Sequence, residues 1–177
     1  MAAIRNNFGD EICTDETTNA KYHAFPTLKQ FKSKATDSML RELGFGYRAP
    51  YIISTLSTIE SKGGEDWLRN MRGKPLSTVR EELTQLKGVG RKVADCIALF
   101  SMDCPETIPV DTHVFQIAKR FGFLKGAKSS QTLNDALYVK ITDAFQDKYG
   151  DKAGWAHQIL FAGDLTSFKD QVSPSKS

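Results

Sequence analysis

Apolar residues recur with helical spacing along most of the chain. Even in the segment Tyr51–Ile59, which is rich in β-branched residues, the apolar positions follow a 3.6-residue period. Glycines follow several such segments, as they do at helix ends: Gly44, Gly63, Gly64, Gly73, Gly88, Gly122, Gly150 and Gly163. The pattern predicts an all-α protein, with long helices also over about 130–148 and 152–162.

Capping residues mark some of the predicted helix starts. Thr36 is placed to cap a helix that begins near Ser38, and Thr78 with Glu81 has the spacing of a capping box.

Residues 1–20 are polar and weakly patterned, and 169–177 have the composition of a disordered tail. We therefore expect one helical domain over 21–168 with a single core, since 177 residues are too few for two ordinary domains.

Composition excludes several classes of protein. Three cysteines cannot supply a four-cysteine zinc or iron–sulfur site, and the three histidines lack the close pairing of a histidine metal site. No stretch approaches the roughly 20 apolar residues of a membrane span, and the first ten residues lack the apolar core of a signal peptide. We expect a soluble intracellular protein with no membrane partner.

A short motif occurs twice between predicted helices. L-G-F-G-Y-R-A (Leu43–Ala49, the first hairpin) and L-K-G-V-G-R-K-V (Leu86–Val93, the second hairpin) each place Gly-x-Gly where the chain must turn. In the second hairpin the turn of Gly88, Val89 and Gly90 directs backbone amides outward at a helix start, which suits a phosphate diester. The motif alone is more often a simple helix-ending turn.

Charge strengthens the phosphate interpretation of the second hairpin. The whole chain carries a net charge of only +3. Between Lys87 and Lys128, however, seven basic residues face four acidic ones, so this segment alone holds an excess equal to that of the whole chain. A local basic excess beside a phosphate-type turn indicates nucleic acid as the partner.

Lys92 and Asp111 form a candidate catalytic pair. Val93, Ile97 and Phe100 are predicted to form the apolar face of the helix that starts near Arg91, which leaves Lys92 on another face. The positive end of the helix dipole favours a neutral amine there, and only a neutral amine is a nucleophile. The helix rises roughly 17 Å at ~1.5 Å per residue. The extended proline-containing run that follows can return about as far at ~3.3 Å per residue. Asp111, at the end of that run, can therefore reach the helix start where Lys92 lies.

Each of these residues also has a purely structural interpretation. Lys92 could be a solvated first-turn lysine, and Asp111 could serve only as the N-cap of the next helix. A charged carboxylate beside an amine is nevertheless the arrangement that amine-based nucleophilic catalysis requires.

Four motifs together resemble a known family. They occur in the order found in the helix-hairpin-helix DNA glycosylases of the endonuclease III superfamily: L-G-F-G-Y-R-A, G-V-G-R-K-V-A-D-C, P-V-D-T-H and A-G-W-A-H-Q-I-L-F. More narrowly, the chain resembles the eukaryotic 8-oxoguanine DNA glycosylase and apurinic-site lyase over roughly Phe8 to Leu165. The resemblance implies excision of oxidised purine from duplex DNA, followed by nicking of the abasic site through a lysine Schiff base.

The resemblance also implies roles for individual residues. Lys92 would be the Schiff-base nucleophile and Asp111 its electrostatic and acid–base partner. The amides of Gly88, Val89 and Gly90 would bind a DNA phosphate, and His113 would contact another.

Tyr47 would enter the base stack and Arg48 would bind the unpaired cytosine. Cys96 and Phe161 would sandwich the extruded base, whose edge His157 would read. The backbone carbonyls of Thr84, Leu86 and Val89 would hold a monovalent or calcium ion; no other cofactor is implied.

The chain departs from the family pattern in two respects. The family usually has glutamine where His157 stands, and a histidine offers only one donor and one acceptor to a base. Eukaryotic members also carry a preceding domain; we expect it to be missing here, with lesion recognition weaker than abasic-site cleavage as the consequence. The iron–sulfur cluster of some superfamily members is excluded, because no cysteine follows Cys104.

Two other functions stay open from the sequence. A non-catalytic helix-hairpin-helix module could bind phosphates as a scaffold, although that role requires neither Lys92 nor Asp111. A helical interaction domain that does not bind DNA would leave the second hairpin and its basic excess unexplained. For the enzyme we expect a monomer that acts in the nucleus, with the mitochondrion as a second compartment.

Overall fold

The computed structural model describes residues 2–124 and 133–164. Within these ranges the chain forms ten α-helices, two 3₁₀ turns and one antiparallel β-hairpin. The helices are α1 Ala2–Phe8, α2 Leu28–Lys34, α3 Asp37–Glu42, α4 Ala49–Ser61, α5 Glu65–Arg69, α6 Leu76–Thr84, α7 Arg91–Ser101, α8 Thr112–Arg120, α9 Asp135–Tyr149 and α10 Ala153–Asp164. The strands are β1 Glu11–Thr14 and β2 Lys21–His23, and the 3₁₀ turns are Gly46–Arg48 and Gly150–Lys152. The prediction of an all-α protein is confirmed, with this small hairpin as an addition.

The structure divides into two compact units. The first comprises the described residues up to Met71 together with Gln85–Gly88, and the second comprises Arg72–Thr84 and the described residues from Val89 onward. Each unit has a hydrophobic cluster, and the expectation of one helical domain with a single core stays a prediction. The boundary at 169 of the predicted tail lies outside the described residues, and the other predicted domain boundaries stay predictions.

The first unit begins with structure that the sequence did not reveal. α1 buries Ile4 and Phe8, and the Phe8 ring lies 4.9 Å from the Phe31 ring, centroid to centroid. Two apolar residues four positions apart are enough to anchor this short helix, because they share one face. Segment 1–20 therefore contributes to the cluster of the first unit.

Helix caps follow the sequence in part. Thr36 caps α3 as predicted, its hydroxyl oxygen accepting from the Met39 amide. The capping box predicted at Thr78 was wrong, because α6 already begins at Leu76 and Thr78 lies in its first turn. A capping box does occur at Thr27, where the side chain of Gln30 completes it.

The second unit is built from α6 to α10. Its cluster contains buried side chains from α8, α9 and the segment before α8, including Ile108, Phe115, Ile141 and Phe145. Asn134 caps α9, which begins at Asp135 rather than near 130. Across the described residues, no helix has the length and apolar character needed to cross a bilayer.

Candidate active site

α7 carries Lys92, but its buried face is not the one predicted. Ala94, Asp95, Ala98 and Leu99 are buried, whereas Val93 and Phe100 are 43% and 63% exposed. The predicted face of Val93, Ile97 and Phe100 was therefore wrong. The Asp95 carboxylate has partners that the sequence did not show, the partly exposed Arg80 and the buried Tyr138.

The segment after α7 returns Asp111 to the start of that helix, as the spacing predicted. Oδ1 of Asp111 accepts from the amides of His113 and Val114 at 3.0 Å each, so the residue caps α8. The second oxygen, Oδ2, lies 3.7 Å from Nζ of Lys92. The capping role and the pairing with Lys92 are thus compatible, because they use different oxygens.

Lys92 and Asp111 open into a pocket of about 160 Å³. Three of the predicted base-contacting residues line the same pocket, namely Cys96, His157 and Phe161. Its remaining walls are Phe100, Pro109, Val114 and Gln158. Residues from α7, α8 and α10 therefore converge on one cavity within the second unit. Their individual roles stay predictions.

His157 is the most deeply buried polar group of this pocket, at 2% exposure. Burial lowers the pKa of its imidazole to about 4; the nearby Asp111 carboxylate acts in the opposite direction and Lys92 in the same direction. The ring is therefore neutral near pH 7 and offers one donor and one acceptor. Nδ1 of His157 lies 3.3 Å from Nε2 of Gln158. The other ring nitrogen of His157, its own Nε2, has no hydrogen-bond partner among the described residues.

His113 lies at the start of α8, next to the last residue of α10. Its Nε2 atom is 3.1 Å from Oδ2 of Asp164, whose other carboxylate oxygen lies 2.6 Å from the Arg120 guanidinium. The His113 ring also meets the Phe161 ring edge-on at 5.0 Å between centroids. The imidazole thus contacts the pocket residue Phe161, and its predicted phosphate contact stays a prediction.

The two glycines of the second hairpin have different requirements. Gly88 has a φ of +85°, and a Cβ there would lie 2.7 Å from Cδ2 of Tyr51, so only glycine fits. Gly90 has a φ of −89° and open space around it. It is the N-cap of α7 and provides no side-chain cap. The first-turn amides of α7 have no intrahelical acceptor and no side-chain cap, so they can donate to an acceptor from outside the helix.

Tyr47 and Arg48 belong to the first unit, in the 3₁₀ turn of the first hairpin. The Tyr47 side chain is 66% exposed. The Arg48 guanidinium lies 4.9 Å from the centroid of the Tyr47 ring, and the Tyr51 ring meets that ring edge-on at 6.3 Å. The ring is exposed with a cation above one face, and the roles predicted for these two residues stay predictions.

Comparison with known proteins decides the family. Residues 3–141 match the model of the HhH-GPD superfamily of base excision DNA repair proteins. The chain belongs to this superfamily. The family resemblance found in the motifs is thereby confirmed.

Individual superfamily members are similar over most of the chain. N-glycosylase/DNA lyase OGG1 of Arabidopsis thaliana is 43% identical over 153 residues, which is 84% of this chain and 40% of that protein. The N-glycosylase/DNA lyase of Saccharomyces cerevisiae is 35% identical, covering 92% of this chain and 49% of the relative. The chain therefore spans about half the length of the curated relatives it matches.

Solved structures of superfamily members share the fold. MBOgg1 in complex with a low-affinity DNA ligand gives a TM-score of 0.72 at 26% identity, covering 90% of this chain and 50% of that one. The 8-oxoguanine glycosylase/lyase of Clostridium acetobutylicum, in complex with double-stranded DNA containing cytosine opposite 8-oxoguanine, gives 0.71 at 29% identity with the same coverage.

Sequence reasoning missed several residues that line the pocket or bind α7. Gln158 and Phe100 line the pocket, and the buried Asp95 binds the partly exposed Arg80 and the buried Tyr138. Asp95 showed no signal in the sequence, since the apolar face predicted for α7 was that of Val93, Ile97 and Phe100. The partner itself could not be found, because Tyr138 lies 43 residues further along the chain.

No group of three or more His, Cys, Asp or Glu side chains in the described parts of the chain could hold a metal ion. The predicted ion site uses the backbone carbonyls of Thr84, Leu86 and Val89 instead, and it stays a prediction.

Proposed function

We propose that this chain is a DNA N-glycosylase and abasic-site lyase that uses Lys92 as its nucleophile. One observation carries the proposal: Nζ of Lys92 lies 3.7 Å from a carboxylate oxygen of Asp111 at the mouth of a pocket. A module that only binds phosphates needs no such pair. The relatives named N-glycosylase/DNA lyase support the same reaction class.

The reaction follows from the chemistry of an amine beside a carboxylate. The neutral Lys92 amine attacks C1′ of an extruded nucleotide, the bond from C1′ to the base breaks, and the base leaves with the bonding electrons and takes up a proton. The attacking nitrogen then loses a proton and the C1′–O4′ bond opens, its oxygen taking up a proton, which gives the Schiff base. Loss of a proton from C2′ expels the 3′ phosphate by β-elimination, which nicks the strand. Asp111 supplies fixed negative charge beside the cationic sugar that forms during base loss.

The pocket supports a base-flipping enzyme. Chemistry at C1′ requires the nucleotide to leave the helical stack and enter a cavity beside the nucleophile. We assign the two sides of that cavity to Cys96 and Phe161, which lie on different helices, and the edge of the base to the buried imidazole of His157. An oxidised guanine, 8-oxoguanine, is the proposed base, and the neutral state of His157 is suited to hydrogen bonding with it.

Contacts to the DNA backbone are assigned to the second hairpin. The uncapped amides at the start of α7 and the turn of Gly88, Val89 and Gly90 would bind one phosphate, and His113 another. Tyr47 and Arg48 would act on the base stack and the unpaired cytosine. The carbonyls of Thr84, Leu86 and Val89, which follow or close α6, would hold a monovalent or calcium ion. The proposed substrate is duplex DNA, bound by a monomer in a DNA-containing compartment, the nucleus or mitochondrion.

Single-turnover kinetics test the proposal. Purified protein is incubated with a duplex containing an abasic site, with an 8-oxoguanine:cytosine duplex and with an undamaged duplex, and nicking and borohydride-stable adducts are measured. We expect both products from the first two duplexes, with weak excision of 8-oxoguanine and poor rejection of the ordinary guanines of the third. The abasic duplex should react faster, because it needs no base recognition. Duplex binding without nicking or adducts on either damaged substrate would favour a non-catalytic module.

A further inference from the structure

A buried carboxylate lies one turn beyond the proposed nucleophile. Asp95 is fully buried on α7, three residues after Lys92. Arg80 of α6 donates to both of its oxygens, from Nε at 2.5 Å and from Nη2 at 3.2 Å. A bidentate guanidinium offsets much of the cost of burying this charge, yet one further donor reaches the carboxylate.

That donor is the hydroxyl of Tyr138 on α9, which donates to Oδ2 of Asp95. The same hydroxyl oxygen accepts from the backbone amide of Val110 at 3.1 Å and lies 3.3 Å from the carbonyl oxygen of Ile108. Burial and the neighbouring Asp95 carboxylate raise the pKa of Tyr138, so the hydroxyl keeps its proton at physiological pH. Its donor and acceptor functions are therefore both in use.

Tyr138 also contacts the start of the nucleophile's helix. The guanidinium of Arg91, the residue before Lys92, lies 3.9 Å from the centroid of the Tyr138 ring. One side chain therefore contacts α7 at two points and binds the amide of the residue just before Asp111. The amide matters because Pro109 has none to offer, so Val110 provides the nearest preceding backbone donor in this segment.

We propose that Tyr138 is a positioning residue for the proposed reaction: through its hydroxyl it fixes the segment that carries Asp111 against the helix that carries Lys92. The inference rests on the function proposed above. Tyr138 does not line the pocket, so it acts through Asp111 and not on the DNA. A displacement of about 1 Å in a reacting group can cost on the order of 100-fold in rate.

The first test is the variant Tyr138→Phe, which keeps the ring and removes only the hydroxyl. We expect adduct formation on the abasic duplex to slow by about 10- to 100-fold at saturating DNA, with duplex affinity within threefold of wild type. Tyr149→Phe is the matched control: it lies on the same helix, packs against the same cluster, and its hydroxyl has no hydrogen-bond partner among the described residues. It should react at the wild-type rate.

A double-variant cycle separates positioning from general damage. If Tyr138 acts through Asp111, the double variant Asp111→Asn/Tyr138→Phe should be no slower than Asp111→Asn alone. Rate losses that multiply, or a Tyr138→Phe rate within twofold of wild type, would overturn the inference.

A measurement independent of activity covers the case in which the wild-type protein forms no adduct, a result that would overturn the proposed function instead. Amide hydrogen exchange should accelerate at least tenfold at Val110, His113 and Val114 in Tyr138→Phe and stay unchanged in Tyr149→Phe. These are the amides bound by Tyr138 and Asp111. Unchanged exchange at all three in Tyr138→Phe would show that the hydroxyl does not position this segment.

Discussion

The two Gly-x-Gly hairpins look alike in sequence and differ in what their backbones offer. In the first hairpin, the amides of Gly44 and Phe45 donate to the carbonyls of Arg41 and Leu40 in α3, and the Arg48 amide donates to the carbonyl of Phe45. The Ala49 amide donates to Gly46, and Pro50 has no amide to offer. In the second hairpin, Gly90 begins an 11-residue helix without a side-chain cap, and first-turn amides of such a helix are available to an anion.

What the first hairpin presents instead is side chains. Its 3₁₀ turn exposes Tyr47 with Arg48 above the ring, whereas the second hairpin leads directly to Lys92 and the pocket. A glycine-rich motif therefore does not define a phosphate site by itself. The second glycine of the motif also differs in conformation, with a φ of +54° at Gly46 and −89° at Gly90.

The largest effect should come from the chemistry that follows only the second hairpin. Asp111→Asn keeps the helix cap, since asparagine caps as well as aspartate, but removes the charge beside the cationic sugar. We expect adduct formation to slow by about 100-fold or more, roughly 3 kcal/mol in activation free energy. Single-turnover rates and a melting curve measure the two properties. A lowered melting temperature with normal turnover would mean that Asp111 is only a cap.

The buried His157 of the pocket should make the free energy of unfolding depend on pH. The pKa of His157 is about 4 in the folded protein against 6.5 as its ordinary value. The unfolded chain therefore binds the proton more readily, and the free energy of unfolding falls as pH drops below about 6.5 and stops falling below about 4. At pH 5 the loss is about 2 kcal/mol.

Urea denaturation at pH 7 and pH 5 checks this for the wild type and for His157→Gln, which cannot titrate. The difference between the two pH values should be smaller in the variant by about 2 kcal/mol. Equal differences in the two proteins would show that the imidazole is not held neutral.

A matched pair of glycine substitutions tests the comparison of the hairpins directly. In Gly90→Asn the new side chain fits the open space and can cap α7, occupying amides that a phosphate would use. We expect about tenfold weaker binding to damaged and undamaged duplex alike, about 1.4 kcal/mol. Gly46→Asn places the same residue in the first hairpin, where asparagine tolerates the positive φ. Binding to undamaged duplex should stay within twofold. Equal losses in both variants would erase the distinction between the hairpins.

The smallest effect should come from the first hairpin's side chains. Arg48→Ala should lower the preference for cytosine opposite the lesion by about fivefold, about 1 kcal/mol, and leave undamaged-duplex affinity nearly unchanged. Arg41→Ala, a neighbouring arginine whose Nε lies 2.5 Å from Oδ2 of Asp37, is the control. An unchanged preference for cytosine in Arg48→Ala would remove Arg48 from base recognition.

Local features of this fold were predictable from the sequence, because they depend on spacing. The period of the apolar residues predicted α4. The length of α7, compared with the length of the extended segment after it, predicted that Asp111 lies close to Lys92. Features that depend on distant partners were not predictable. Alanines rather than Val93 and Phe100 face inward on α7, since close packing decides that face. The hydrogen bond from Tyr138 to Asp95 joins residues that no periodicity connects.

Identification of the residue that bonds to DNA tests the central claim most directly. Wild-type protein, Lys92→Ala and the second-hairpin control Lys87→Ala are each treated with borohydride on an abasic duplex, and the adduct is located by peptide mass spectrometry. We predict that the wild type and Lys87→Ala carry the adduct on Lys92. Lys92→Ala should form none while its duplex affinity stays within a few-fold, since one ammonium contributes about one unit of salt slope. A stable adduct in Lys92→Ala, or one mapped to another residue, would contradict the account.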